Sequence, residues 1–400
     1  KRLIFEALMR EVLFNTRPIA QNYTRKLIST NTIDGRFFLK LNTNYSKIRL
    51  YRWYDVELNC TPIDSERIMT AFGTQFVPEM ALATFDGQQW STPSLVPSDS
   101  ISLHPAAHVL HYASTCFEGL KAFRHPDGSH HIFRMDQNIE RMAQSSRLLS
   151  LPAVDTNMLK TMILDLVSRY ADEIPAPPGT LYLRPTHMGT EAAIGKAAAP
   201  SSQSLLYVLA SPVGDYFAGG DATLRVLIDE EGMRCAPHMG MVKSGGNYAS
   251  ALHFLNKARA EHQADQVLFS PHGDVQETAA ANFILIDGNE LITKALDSTF
   301  LHGVTRASVL VLADEMGLTV SERDLSVAEL IERSANPNAE AALSGTAAIL
   351  TPVGTLIHHG KDYTIGTGKP GATTVKLRKA LNDIQFGVAE DRFGWLTQVS

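Results

Sequence analysis

From Met69 onward the apolar residues recur with two periods, one helical and one extended, and segments of the two kinds alternate along the chain. Met158, Leu159, Met162, Ile163, Leu166, Val167 and Tyr170 fall on one face of a helix that Asp155 is placed to cap. Thr180 to Arg184 and Leu205 to Ser211 read as strands. Pro212, Gly214 and the pair Gly219-Gly220 then break the pattern, which predicts a connection between two domains over 211–223. Beyond it, Tyr248, Ala251, Leu252, Leu255 and Ala258 return to helical spacing. Asn282 to Asp287 predicts a strand ending in an Asp287-Gly288 turn. Val309, Leu312, Ala313 and Met316 mark a helix that Gly317 stops, and Ser326 with Glu329 forms a capping box. Leu377, Ala380, Leu381 and Ile384 mark a C-terminal helix. No internal repeat or low-complexity tract interrupts this order.

The alternation predicts an α/β or α+β enzyme architecture in two parts: a small α/β domain over 69–210 and a larger one over 224–400. A chain of 400 residues is also more than a single core usually serves. Residues 1–68 have a different texture, rich in Arg, Lys, Asn and Thr with little periodicity. Two readings stand for them, a translated leader ahead of a natural start at Met69 or an organelle presequence. Both place the segment outside the catalytic fold.

At 44% hydrophobic and 20% charged residues the composition is that of a globular protein, and a formal charge of -6 argues against nucleic acid as a partner. Small acidic substrates stay admissible. Cys60, Cys116 and Cys235 are far apart and form no C-x-x-C pair, so neither a disulfide framework nor a structural zinc site is expected. No apolar run reaches the roughly 18 residues that a membrane span needs. The expected compartment is the cytoplasm.

Among candidate chemistries, Gly366-Thr367-Gly368-Lys369-Pro370-Gly371 formally satisfies G-x-G-x-x-G but lies near the C-terminus with a proline where a helix should open, so it reads as a connection. The 14 histidines show no metal-ligand spacing; His130-His131 and His358-His359 sit beside turns, and no metal is assigned. The segment Met241 to Tyr248 is more telling. Lys243 stands between an apolar pair and a glycine turn that opens an amphipathic helix, a setting in which burial can activate an amine. On that segment alone a surface turn is an equal reading. Gly303-Val304-Thr305 opens another helix, and Ser344-Gly345-Thr346-Ala347-Ala348 is a second turn with hydroxyls; together with a lysine they suggest a phosphate site. Glu277 precedes small residues and an apolar strand, where a carboxylate could face inward and meet a pyridine nitrogen.

Taken together these segments resemble the branched-chain aminotransferase family, pyridoxal-phosphate enzymes of fold type IV. The resemblance runs from about residue 70 to the C-terminus. It rests on Val109 to Tyr112 continuing to Phe117-Glu118-Gly119-Leu120-Lys121-Ala122-Phe123, on Asn138 to Met142, on Leu181-Tyr182-Leu183-Arg184-Pro185, on Lys243 to Tyr248 and on Ser344 to Pro352. It implies pyridoxal 5'-phosphate as cofactor, with Lys243 as the Schiff-base lysine and proton shuttle and Glu277 on the pyridine nitrogen. Arg141, Val304, Thr305 and Thr346 would hold the phosphate, and Tyr248 the ring hydroxyl.

For substrates, the resemblance implies branched-chain L-amino acids, 2-oxoglutarate and glutamate. Tyr112, Phe117, Tyr182 and Tyr216 would surround the side-chain and carboxylate pockets, with Arg184 for the distal carboxylate of glutamate. The backbone at Ala347 and Ala348 would receive the α-carboxylate. A homodimer or higher homo-oligomer is implied, with neither nucleic acid nor membrane as partner. Ala279, Ala280 and Ala281 depart from relatives that carry glycine, threonine or glutamate, and no paired cysteines follow Ala347. The rival readings are another fold type IV enzyme, a D-amino acid transaminase or an aminodeoxychorismate lyase, and a noncatalytic binding protein of the same fold.

Overall fold

The computed structural model describes residues 72–214, 222–347 and 349–399, together with the backbone of three strands between residues 28 and 55. Those three, Ile28–Ile33, Arg36–Tyr45 and Ile48–Asp55, form an antiparallel sheet in chain order within a compact unit of their own, Lys1–Ile68. The second unit, Met69–Ser400, carries two further sheets.

The first of these has eight strands, all paired antiparallel. Thr180–Gly189 and Ser204–Val213, the two expected strands in lengthened form, lie at its centre. Helices Met135–Leu148 and Thr156–Arg169 cover it, packing Ile139, Met142, Leu159, Met162, Ile163, Leu166 and Val167 against Ala81, Leu120, Leu181 and Leu206. Complete burial of one such leucine stabilises the fold by about 1.5–3 kcal/mol. Asp155 starts the second helix as its spacing predicts, its Oδ1 accepting the N–H groups of Asn157 at 2.9 Å and Met158 at 3.0 Å.

The other sheet has nine strands in mixed orientation. Its central strands Asn282–Asp287 and Glu340–Gly345 are buried on both sides because alternate residues face opposite layers. Ile284, Ile286 and Ala342 meet helices Val304–Glu315 and Ala372–Gln385 on one face. Phe283, Leu285, Ala341 and Leu343 meet helix Val327–Ser334 on the other. The Asp287-Gly288 turn forms with Gly288 at φ 60°, and Gly317 follows helix Val304–Glu315 at φ 82°.

One local expectation changes. Ser326 Oγ accepts the Glu329 N–H at 3.1 Å, but the reciprocal half of the capping box is missing: the Glu329 carboxylate turns to Arg323 at 2.6 Å and Arg333 at 2.9 Å. Charge-assisted bonds to guanidinium are stronger than one to a backbone amide. The last strand, Leu396–Val399, pairs with His130–Phe133 in the eight-stranded sheet, far from its neighbours in sequence. Among the described residues no helix is long and apolar enough to cross a membrane.

Candidate active site

The strand Thr115–Phe117 runs beside the segment that carries Lys243. Phe117 N–H donates to Lys243 O at 3.0 Å, Lys243 N–H donates to Ser145 Oγ at 3.2 Å, and Cys116 and Ser244 form an isolated bridge. The lysine therefore sits in extended chain clamped on both sides, immediately before helix Gly245–His262. Asn247 fixes the turn from within, its Nδ2 donating to the carbonyls of Met239 and Val242, both at 2.8 Å. Tyr248 stands one turn into the helix, and Lys243 Nζ donates to its hydroxyl at 2.6 Å. Nζ also lies 5.0 Å from the Phe117 ring centre, so the ammonium faces aromatic carbon as well as one oxygen. Burial pushes the Tyr248 phenol up, but the neighbouring charges and hydrogen bond of Lys243, with Arg234, outweigh it and leave the phenol below its ordinary value.

Glu277 is fully enclosed, at 2% exposure. Its Oε1 accepts the Leu301 N–H at 2.9 Å and pairs with Arg234 Nη1 at 2.8 Å, while Oε2 accepts from Asn282 Nδ2 at 3.2 Å. Burial pushes its carboxyl up to about 7 against the opposing pull of Arg234, the Leu301 amide, Lys243 and Arg141. The two partners respond unequally: for Arg234 burial lowers the guanidinium, but Glu277, Tyr248 and Cys235 together outweigh it and raise the group further into its charged range. Every group touching the carboxylate is a donor, so the geometry selects the anion. The Arg234 guanidinium also stands 5.5 Å from the Tyr248 ring, linking Glu277 to the Lys243–Tyr248 pair.

Arg141 projects from helix Met135–Leu148 into the same region. Its Nε and Nη2 donate to the two oxygens of Glu118 at 2.7 and 2.8 Å, and Nη1 to His302 O at 2.8 Å. Burial alone would lower this guanidinium, but Glu118 holds it above its ordinary value. Three of its five N–H donors are so engaged, one on each nitrogen, and the second hydrogens of Nη1 and Nη2 remain for a further acceptor. His302 precedes Gly303, the N-cap of helix Val304–Glu315, which supplies no side-chain cap, so the amides of Val304 and Thr305 lie beside the arginine with the helix's positive end.

A third group gathers around Phe117. The Arg184 guanidinium lies 4.6 Å from its ring and donates through Nη2 to the Tyr182 hydroxyl at 2.8 Å, and Tyr248 packs on Phe117 at 5.1 Å. Gly119 leaves room for this contact, because a Cβ at that position would displace the Tyr182 hydroxyl. The turn of Thr346 and Ala347 is reached by Lys121, whose Nζ donates to Ala347 O at 2.9 Å.

Lys243, Tyr248, Glu277, Arg141, Phe117, Tyr182 and Arg184 thus share one connected region. Tyr112 is not joined to it by its observed contacts: its hydroxyl donates to Ile194 O and its ring meets His108. Tyr216 and Ala348 lie outside the described residues. Sequence reasoning assigned no role to Arg234, Glu118, Asn282 or Lys121. Arg234 carried a signal, an arginine set between Met233 and Cys235, but its partner is 43 residues away (277 minus 234). Lys243, Arg141, Arg184 and Arg234 outnumber Glu118 and Glu277 by two (four minus two), so the region suits an anion.

The family model for class IV amino-transferases matches residues 115–355. A probable branched-chain-amino-acid aminotransferase of Streptomyces coelicolor is 37% identical over 345 residues, covering 83% of this chain and 94% of that one. Branched-chain-amino-acid transaminase 1 of Bacillus subtilis is 36% identical over 338 residues, covering 82% and 94%. The fold is similar to that of the branched-chain amino acid aminotransferase of Thermobaculum terrenum solved in its PLP-form, at TM-score 0.66 and 22% identity over 80% of this chain and 98% of that one. The Escherichia coli branched-chain amino acid aminotransferase structure matches at TM-score 0.67 and 24% identity, covering 80% and 99%. With the family model spanning more than half of its length and relatives this similar over most of theirs, the chain belongs to the class IV aminotransferases, in the branched-chain-amino-acid aminotransferase family.

Proposed function

We propose that this chain is a pyridoxal-phosphate-dependent transaminase that moves the amino group of L-leucine, L-isoleucine or L-valine to 2-oxoglutarate, giving the branched 2-oxo acid and L-glutamate. The observation that carries the reading is the clamped Lys243 amine, 2.6 Å from a tyrosine hydroxyl and linked through Arg234 to a buried carboxylate. The residues fit the cofactor's three polar ends. Two spare Arg141 donors, the amides of Val304 and Thr305 and the hydroxyl of Thr346 suit its phosphate, Tyr248 its ring hydroxyl and Glu277 its ring nitrogen. Ser344 Oγ, buried at the end of its strand without a protein partner, is a further polar atom in need of one.

When bound, pyridoxal phosphate supplies an aldehyde that holds amines covalently and a ring that accepts electrons from the substrate carbon. Lys243 Nζ would hold the aldehyde and, as a free amine, would take the proton from the substrate α-carbon as a general base. Tyr248 orients that amine. Glu277, whose partners Arg234, Asn282 and the Leu301 amide all donate to it, would hold a proton on the ring nitrogen. Phe117 and Tyr182 would wall the side-chain pocket, to which the resemblance alone assigns Tyr112 and Tyr216; Arg184 would neutralise the distal carboxylate of glutamate, and the backbone at Ala347 and, by resemblance, Ala348 would receive the α-carboxylate. Dual specificity follows, since aromatic walls bury an aliphatic chain while the arginine compensates a charge.

The same reading places the enzyme in the cytoplasm as a homodimer or larger homo-oligomer. It divides the catalytic fold into a small domain over 69–210 and a large one over 224–400, joined by 211–223, with 1–68 outside it. A visible spectrum taken before and after addition of L-leucine tests cofactor, lysine and substrate at once. Lys243→Ala is expected to remove the visible absorbance of the holoenzyme and to cut turnover by about 10²–10⁴-fold. Turnover at the wild-type rate in that variant, or D-alanine consumed in preference to L-leucine, refutes the assignment.

A further inference from the structure

At one end of the nine-stranded sheet, three side chains that the transamination reading leaves idle converge where the parallel strands Leu224–Asp229 and Ile349–His358 finish. Glu230 follows the first strand, His358 ends the second, and His359 opens the two-residue turn into strand Lys361–Thr364. Successive residues of a strand point to opposite faces. The left-handed backbone at His359, φ 48°, breaks that alternation and brings its ring beside that of His358, with centroids 3.9 Å apart. Such a turn is ordinarily filled by asparagine or glycine. Here it presents a second imidazole to the same carboxylate.

The distances go beyond an ion pair. His358 Nε2 lies 2.7 Å from Glu230 Oε2, a hydrogen bond, whereas His359 Nε2 lies 3.6 Å from that oxygen, too far for one. All three potential donor atoms fall within 4.8 Å of one another. A tetrahedral zinc ion with bonds of about 2.0–2.1 Å keeps its ligands roughly 3.3–3.4 Å apart, so the longer separation already suits it and the shorter must open by about 0.6 Å. The frame is preformed: Glu230 O accepts the His272 N–H at 3.2 Å, and Asp229 Oδ1 accepts the N–H groups of Glu231 at 3.0 Å and Gly232 at 2.6 Å. His358 is mostly covered and His359 is open to solvent, leaving a coordination position for water.

We infer that Glu230, His358 and His359 form a surface binding site for a divalent transition-metal cation of the zinc, copper or nickel class. Two imidazoles and one carboxylate favour those ions over magnesium or calcium, which take oxygen ligands. None of its three residues is assigned to the cofactor or the substrates.

The test is calorimetric titration of EDTA-treated, dialysed holoenzyme with zinc sulfate, paired with electron paramagnetic resonance after loading one equivalent of Cu2+. Wild-type protein is expected to bind one zinc ion per chain that the His358→Ala/His359→Gly double variant does not bind. Its copper spectrum should carry splitting from two imidazole nitrogens. His359→Gly preserves the left-handed backbone and so the fold; it should weaken zinc binding at least about ten-fold and reduce the copper pattern to one nitrogen. Transaminase activity should be unchanged in His359→Gly, which separates this site from the catalytic one. An isotherm and copper spectrum identical in wild type and His359→Gly, or a wild-type protein that takes up no zinc, overturns the inference.

Discussion

Replacing Arg234 with methionine removes the only charged partner in direct contact with Glu277 among the described residues while roughly preserving volume. Both side chains are about 2–3% exposed, and breaking a buried ion pair from one side costs about 3–5 kcal/mol because a charge is left behind. Glu277 can escape part of that cost by taking a proton. Burial already holds its carboxyl at about 7 with the arginine present, so without it the value rises further. The sign follows: a carboxyl raised above its unfolded value contributes stability that is present at low pH and is lost as pH climbs through the folded value. The variant should therefore be destabilised least near pH 5 and most above pH 8. Its kcat should fall on the acid side at a pH one to two units higher than in wild type, about 1.4–2.7 kcal/mol, because a protonated Glu277 no longer holds the ring-nitrogen proton. Arg234→Lys, which keeps the charge and loses the fork, should lie between the two. The assay is a pH profile of kcat beside a denaturant series at matched pH. A lower melting temperature with an unmoved acid limb would reduce Arg234 to a structural residue and refute the coupling.

Gly119→Ala should push the Tyr182 hydroxyl off Arg184, costing about 1.5–3 kcal/mol of a charged hydrogen bond, and raise KM for glutamate far more than for leucine; equal changes for both substrates argue against the pocket assignment. His187 is buried between Ser146 Oγ and Ser204 Oγ, each at 2.9 Å, and burial lowers its imidazole from 6.5 to about 4. Its neutral form is the one the fold accepts, so stability is full above pH 6.5 and drains by about 3 kcal/mol as pH falls to about 4. Urea midpoints between pH 7 and 4 should decline less steeply in His187→Gln, and parallel declines would exclude this histidine as the cause.

Local chemistry was legible wherever its partners are close in sequence. Asp155 and its helix, the Asp287-Gly288 turn and the lysine ahead of a glycine-opened helix all follow from spans of a few residues. What escaped depends on contacts between distant segments. Glu118 lay inside a quoted motif, yet only the fold shows that its carboxylate occupies the Arg141 fork, 23 residues on. Glu329 has the right spacing for a capping box, but two guanidiniums hold it more strongly than the backbone amide can. Lys121 reaches Ala347 across 226 residues, a pairing no window on the chain could contain. For Tyr112 the place in the pocket rests on resemblance alone, and the hydrogen bond that its hydroxyl makes goes to Ile194.

The final strand has a consequence for how the polypeptide is made. Leu396–Val399 supplies the edge beside His130–Phe133, and Trp395 sits against Phe133 while its carbonyl accepts the Arg134 N–H at 2.6 Å. The eight-stranded sheet must therefore wait, with one border unpaired, until Leu396–Val399 has left the ribosome. Ribosomes that stall before those residues would release chains whose early-made portion is intact in sequence but lacks its closing hem, and those chains should be the ones chaperones and proteases find first.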